Sequence, residues 1–127
     1  MAKTFEELEC WQNAIALDKE VYQLIMNSTI KTDFSLKDQM LRSSGSIADN
    51  IAEGFERGGN KEFIQFLLIS KGSCGELRSQ FHRCKLRNLL DETVFEKFYN
   101  QTRTVSVKIS NLITYLKNSE LKGNKYK

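Results

Sequence analysis

Proline is absent from all 127 residues, where ordinary usage of about 5% would place about six. Its absence excludes a proline-rich linker, a polyproline ligand and most proline-marked turns. It favours long helices, because proline is what most often breaks them. Cysteine occurs three times, at Cys10, Cys74 and Cys84, with no Cys-x-x-Cys spacing. An odd number placed in apolar periodic segments reads as buried, reduced core residues rather than a disulfide or zinc site. Long apolar runs are missing too: Phe66-Leu67-Leu68-Ile69 falls far short of the roughly 20 residues of a bilayer span. The segment from Met1 to Glu7 lacks the apolar stretch of a signal peptide, so a cytoplasmic protein is expected. The length suits one domain with a core that needs no staples.

Catalytic residues are equally scarce. His82 is the only histidine, lying amid cations in Arg78-Ser79-Gln80-Phe81-His82-Arg83. Cys84 is two positions away, and residues two apart on a helix do not face each other, so the two make no nucleophilic pair. No Glu-x-x-His pair of a di-iron bundle is present. Arg57-Gly58-Gly59-Asn60 lacks the lysine and spacing of a phosphate-binding loop. No enzyme, metal site or cofactor is expected.

What is present is helical periodicity. Thr4-Phe5-Glu6-Glu7 has the form of a capping box opening a helix to Met26. Leu8, Trp11, Ile15, Tyr22 and Ile25 mark one seam, and Ala14, Leu17, Val21 and Leu24 a second beside it. Asp18 falls on the first seam and reads as an exposed edge position. Residues 27–34 read as a loop. Ser35 begins a second helix to Phe55, rich in small residues including Gly45; a helical glycine costs about 1 kcal/mol relative to alanine, so close helix packing is expected there. Gly58 or Gly59 supplies a left-handed helix end, and Asn60 caps a third helix to Asn88. Its seam is Phe63, Leu67, Ser70, Cys74, Leu77, Phe81 and Cys84. Asp91 caps a fourth helix, whose seam is Phe95, Phe98, Thr102, Val105, Ile109, Leu112 and Leu116. The fold class expected is all-α: an antiparallel up-and-down four-helix bundle in a single domain, residues 1–118, with a basic flexible tail at 119–127. Heptad-like seams can also serve packing between copies.

The net charge of +3 hides an uneven spread. Residues 1–62 hold 11 acids and 7 bases, whereas residues 63–127 hold 5 acids and 12 bases. Such a division indicates a surface for a polyanion, contact between copies, or a solvated charged face. Arg78, His82 and Lys85 share one face of the third helix, with Arg83 and Arg87 beside it. Lys97, Arg103 and Lys108 on the fourth helix extend the region. These residues are the candidate nucleic-acid contacts, suited to phosphates without sequence reading. Tyr99, Tyr115 and Tyr126 could add stacking. A second constellation lies between helices two and three. Counting outward from Gly58 sets Ser43 level with Ser73 and Arg42 about one turn from Glu76. A shared network of Arg42, Asn50 and Glu76 would satisfy groups costly to bury unpaired, and Glu53–Arg57 has the favourable i,i+4 order. This constellation either holds the helix register and an oligomer contact or forms a polar site.

Arg42 to Gly54 reads R-x-x-x-S-I-x-x-N-I-A-E-G, with Arg57 following. Phe63 to Leu77 is a phenylalanine-containing helix leading to G-S-x-x-E-L. These motifs, with Leu8-Glu9-Cys10-Trp11, resemble the bacterial four-helix-bundle family of 23S rRNA intervening-sequence proteins over about residues 5–118. Ala48 stands where many relatives have proline. The sequence is also similar to the accessory proteins of diversity-generating retroelements, pentameric barrels that bind nucleic acid and a reverse transcriptase. The resemblance implies a small all-α protein, a homopentamer, RNA as a partner and a protein partner besides itself. The competing expectation is a structural or protein-interaction scaffold without nucleic-acid binding.

Overall fold

The structure, a computed structural model, describes residues 2–126, with side chains described for residues 2–119. Four helices form it: α1 (Glu9–Met26), α2 (Phe34–Glu56), α3 (Asn60–Leu86) and α4 (Glu92–Tyr126). No strand occurs among the described residues. Each helix packs on its neighbours in the chain, most extensively α2 on α3 and then α3 on α4, and α4 closes back on α1. This is the up-and-down four-helix bundle. The helix of α4 runs past the expected end at Asn118. The expected flexibility of the basic tail concerns side chains beyond the described residues.

The helix ends follow local chemistry. Leu8 is extended, so the first turn, Phe5–Glu7, is a separate 3-10 turn and α1 starts only at Glu9. The expected capping box does not form: Thr4 makes no side-chain cap bond, and Glu7 accepts instead from the Lys3 N–H at 2.7 Å. The break lets Phe5 fold edge-on to Trp11 with ring centres 5.2 Å apart. Asp33 rather than Ser35 caps α2, accepting the Leu36 N–H at 3.3 Å. Gly58 takes φ +89°, the left-handed conformation that separates α2 from α3. Gly59, not Asn60, is the cap residue of α3. Asp91 caps α4 through the Val94 N–H at 2.9 Å.

One apolar face of each helix makes the core. On α1 the buried set is Cys10, Ala14, Leu17, Val21 and Ile25; Ile15 and Tyr22 of the other seam are exposed. Every residue of the α3 seam is buried. So are those of α4, save half-buried Leu112. Two polar groups inside the core are satisfied by backbone: Ser70 donates to the Ile47 carbonyl at 2.7 Å, and Thr102 to that of Phe98 at 2.7 Å. Asp18 is not an exposed edge residue. It is half-buried and accepts from Ser44 Oγ at 2.7 Å, tying α1 to α2.

The close approach expected at Gly45 is elsewhere. A Cβ at Gly45 would meet nothing within 4 Å, whereas one at Gly54 would stand 2.6 Å from Phe66 Cβ and 3.0 Å from Phe63 Cδ1. Gly54 lies next to the α2–α3 turn, where the two backbones have not yet diverged.

Candidate nucleic-acid interface

Along the α2–α3 seam each polar residue of α2 meets an α3 residue one to two turns further from Gly58 than counting residues suggests. Ser73 faces Ser46, not Ser43, with the hydroxyls 2.9 Å apart. Side chains on both helices lean toward their own N-terminus, which carries α2 groups away from the turn and α3 groups toward it. Ser43 is met instead by Gln80, whose Nε2 donates to Ser43 Oγ at 2.9 Å. Gln80 is buried, and its Oε1 has no partner among the described residues. The expected network of Arg42, Asn50 and Glu76 does not form. Asn50 spends its amide on the Ser46 carbonyl and hydroxyl, both at 2.8 Å. Arg42 and Glu76 are exposed at the rim of a polar groove of about 410 Å³ and make no ion pair with each other. Glu53 and Arg57 do pair, at 3.6 Å on the surface, and Arg57 also lies over the Phe66 ring at 5.1 Å.

The candidate nucleic-acid contacts do not form one surface. Arg83 points to α2 and donates to Gln39 Oε1 at 2.9 Å. Arg87 pairs with Asp33 at 2.8 Å. Lys85 pairs with Glu92 at 2.6 Å and lies 4.8 Å over the Phe95 ring. Lys108 pairs with Glu9 at 2.6 Å, on the side of α4 that faces α1. Lys97 reaches Glu20 at 3.8 Å, which also accepts from Gln101. The uneven charge therefore has an internal answer. Asp33, Glu20 and Glu9 of the acidic half meet Arg87, Lys97 and Lys108 of the basic half within one chain. Exposed pairs of this kind add little stability each.

Arg87 beside Asp33 holds that carboxyl below its ordinary value of 3.8. A depressed carboxylate contributes stability that is present above its unfolded value and is lost as pH falls through the folded one. Arg87→Gln is therefore expected to be less stable than the parent at neutral pH, with the gap closing as pH falls below 3.8. Urea melts at several pH values, followed by circular dichroism, check this. A gap that persists in strong acid would exclude the linkage.

Arg78, His82 and Arg103 remain, and Lys71 joins them. Lys71, Arg78, Tyr99, Arg103, Ser106, Val107 and Ser110 line a groove of about 340 Å³ between α3 and α4. No acidic side chain lines it, and none of its three cations has an ion-pair partner among the described residues. Arg78 is half-buried; its Nη1 is fully buried without a hydrogen-bond partner. Its guanidinium lies 5.9 Å from the Tyr99 ring centre, and Phe95 stacks on Tyr99 at 5.6 Å. His82 is exposed at the groove's end toward the α3–α4 turn, edge-on to Phe95 at 4.9 Å and to Tyr99 at 5.6 Å. Spacing alone could have found this stripe: Lys71 and Arg78 are seven apart, and Tyr99, Arg103, Ser106 and Ser110 step by four, three and four. Tyr126 lies beyond the described side chains.

The three thiols are free and buried. Burial pushes Cys74 up to about 12, and Cys10 and Cys84 up to about 11, so all three stay protonated at neutral pH. Among the described residues no group of three or more His, Cys, Asp or Glu side chains is placed to hold a metal, and no helix is long and apolar enough to cross a membrane.

No curated protein matches the chain. A solved structure from Bacteroides thetaiotaomicron, described as a protein with unknown function from the S23 ribosomal protein family, is similar to it in fold. The TM-score is 0.74 at 19% identity, covering 82% of this chain and 97% of that one. The family model of the 23S rRNA-intervening sequence proteins matches residues 6–111. With its helices, its motifs and this match in agreement, the chain belongs to the 23S rRNA-intervening sequence protein family.

Proposed function

We propose that the protein is a non-enzymatic, self-associating cytoplasmic bundle that binds nucleic acid, RNA foremost, without reading sequence. The observation that carries this reading is the α3–α4 groove, where Lys71, Arg78 and Arg103 converge with no acid among them. Cations left unpaired in one concave place raise the local concentration of a polyanion. Self-association as a homopentamer, with room for a further protein partner, rests on the resemblance to the retroelement accessory proteins; the exposed Ile15 and Tyr22 on α1 and Leu68 and Ile69 on α3 are apolar surface available to it.

The test is RNA binding across a salt series by fluorescence anisotropy. Two or three neutralised phosphates per chain predict a slope of log K against log salt of about −1.4 to −2.1 for single strands. Arg103→Gln is expected to flatten it by about 0.7. Absence of binding at low salt would leave the scaffold reading, which those exposed apolar residues favour.

A further inference from the structure

The geometry points to the α3–α4 groove as a seat for the 5′-terminal phosphate of an RNA strand. This rests on the nucleic-acid reading and narrows its ligand to a phosphomonoester dianion.

Three observations lead there. First, the cationic run stops at the groove on the side facing the α3–α4 turn. Beyond Arg78 the next basic residues of α3 are Arg83, Lys85 and Arg87, and Gln39, Glu92 and Asp33 hold them. An internal phosphodiester chain needs a track that continues in both directions, whereas a strand end needs one focus. Second, three cations surround a single concavity without a counter-charge. A phosphodiester brings one negative charge, while a terminal monoester carries about −1.5 to −2 at neutral pH, with a second pKa of about 6. Third, the seat is held in place before any ligand arrives. Tyr99 contacts both Phe95 and the half-buried Arg78 guanidinium, which limits the freedom that Arg78 loses on binding. Its Nη1 is buried without an acceptor, a cost that a turn of the guanidinium toward an oxygen in the groove would relieve. A phosphate oxygen is a charge-assisted one, and the Ser106 and Ser110 side chains in the same lining offer hydroxyl donors.

The experiment compares one short single-stranded RNA carrying a 3′ fluorophore, prepared with a 5′-phosphate and with a 5′-hydroxyl. The phosphorylated strand is expected to bind about tenfold more tightly, the scale of one added charge-assisted contact. The preference should grow between pH 5.5 and 7.5 as the monoester loses its second proton near a pKa of about 6. Arg78→Gln is expected to abolish the preference, and so is Arg103→Gln, whose exposed side chain makes misfolding no explanation. Arg83→Gln should leave it intact. Equal binding of the two strands would overturn the end-seat while leaving nucleic-acid binding in place; no binding of either at low salt would remove both. A preference that survives both groove substitutions would place the end elsewhere. Adenosine 5′-monophosphate binding as tightly as the RNA would assign the groove to free nucleotides instead.

Discussion

Phe81→Ala is expected to destabilise the protein by about 3–5 kcal/mol, the range for removing a fully buried phenylalanine. Phe81 has no exposed surface and packs on Phe98 of α4 with ring centres 5.5 Å apart. It sits mid-seam on α3 between Leu77 and Cys84, themselves fully buried, so neighbouring side chains have little room to collapse into the space. Against an ordinary domain stability of about 5–15 kcal/mol, the variant should retain only a marginal fold. Urea unfolding reads the loss as a lower midpoint with an unchanged slope. Phe81→Leu, which keeps most of the volume, should cost about 1.5 kcal/mol or less. A loss under about 1 kcal/mol for Phe81→Ala would mean that α3 and α4 do not share this core.

The second large effect is a reversal of sign between two glycines of the same helix. Alanine is favoured over glycine in a helix interior by about 1 kcal/mol. At Gly45 nothing opposes that gain, because an added Cβ meets no atom within 4 Å. Gly45→Ala is thus expected to stabilise by up to about 1 kcal/mol. At Gly54 the added carbon would stand 2.6 Å from Phe66 Cβ, an atom fixed to the α3 backbone that cannot swing aside. Overpacking of this kind costs about 1–3 kcal/mol, so Gly54→Ala should lose stability on balance and Gly54→Val should lose more. Thermal melts of the three variants in one buffer decide it. A stabilised Gly54→Ala would show that α2 and α3 are further apart than described.

The repeating seams of α3 and α4 were legible in advance because helical periodicity is local: spacings of three and four put residues on one stripe wherever the helix lies. Asp91 as a cap and a left-handed break at Gly58 or Gly59 were legible for the same reason, since each acts within a few residues of itself; the structure assigns the break to Gly58. The α1 reading divided. Two adjacent seams were visible, but only packing against α2 and α4 selected Ala14, Leu17 and Val21 for the core and left Ile15 and Tyr22 outside. Asp18 likewise has no intrahelical partner to announce it; its role comes from Ser44 on the next helix.

The candidate site was legible in part. Arg78, His82 and Arg103 were named from charge and face, but Lys71 and the serines of the groove were not. The remaining cations looked equivalent to these along the sequence. They are separated only by what stands opposite them: Asp33 against Arg87, Glu92 against Lys85, Glu9 against Lys108.

By itself, then, the sequence determined a proline-free chain of four amphipathic helices, their order, most of their ends and an excess of base in the second half. Those properties depend on backbone sterics and on interactions within a few residues. The tertiary structure alone decided which glycine bears the close helix contact, which acids consume which bases, and that three cations are left facing one groove. Each of these is a distance between helices, and no spacing along a single helix contains it.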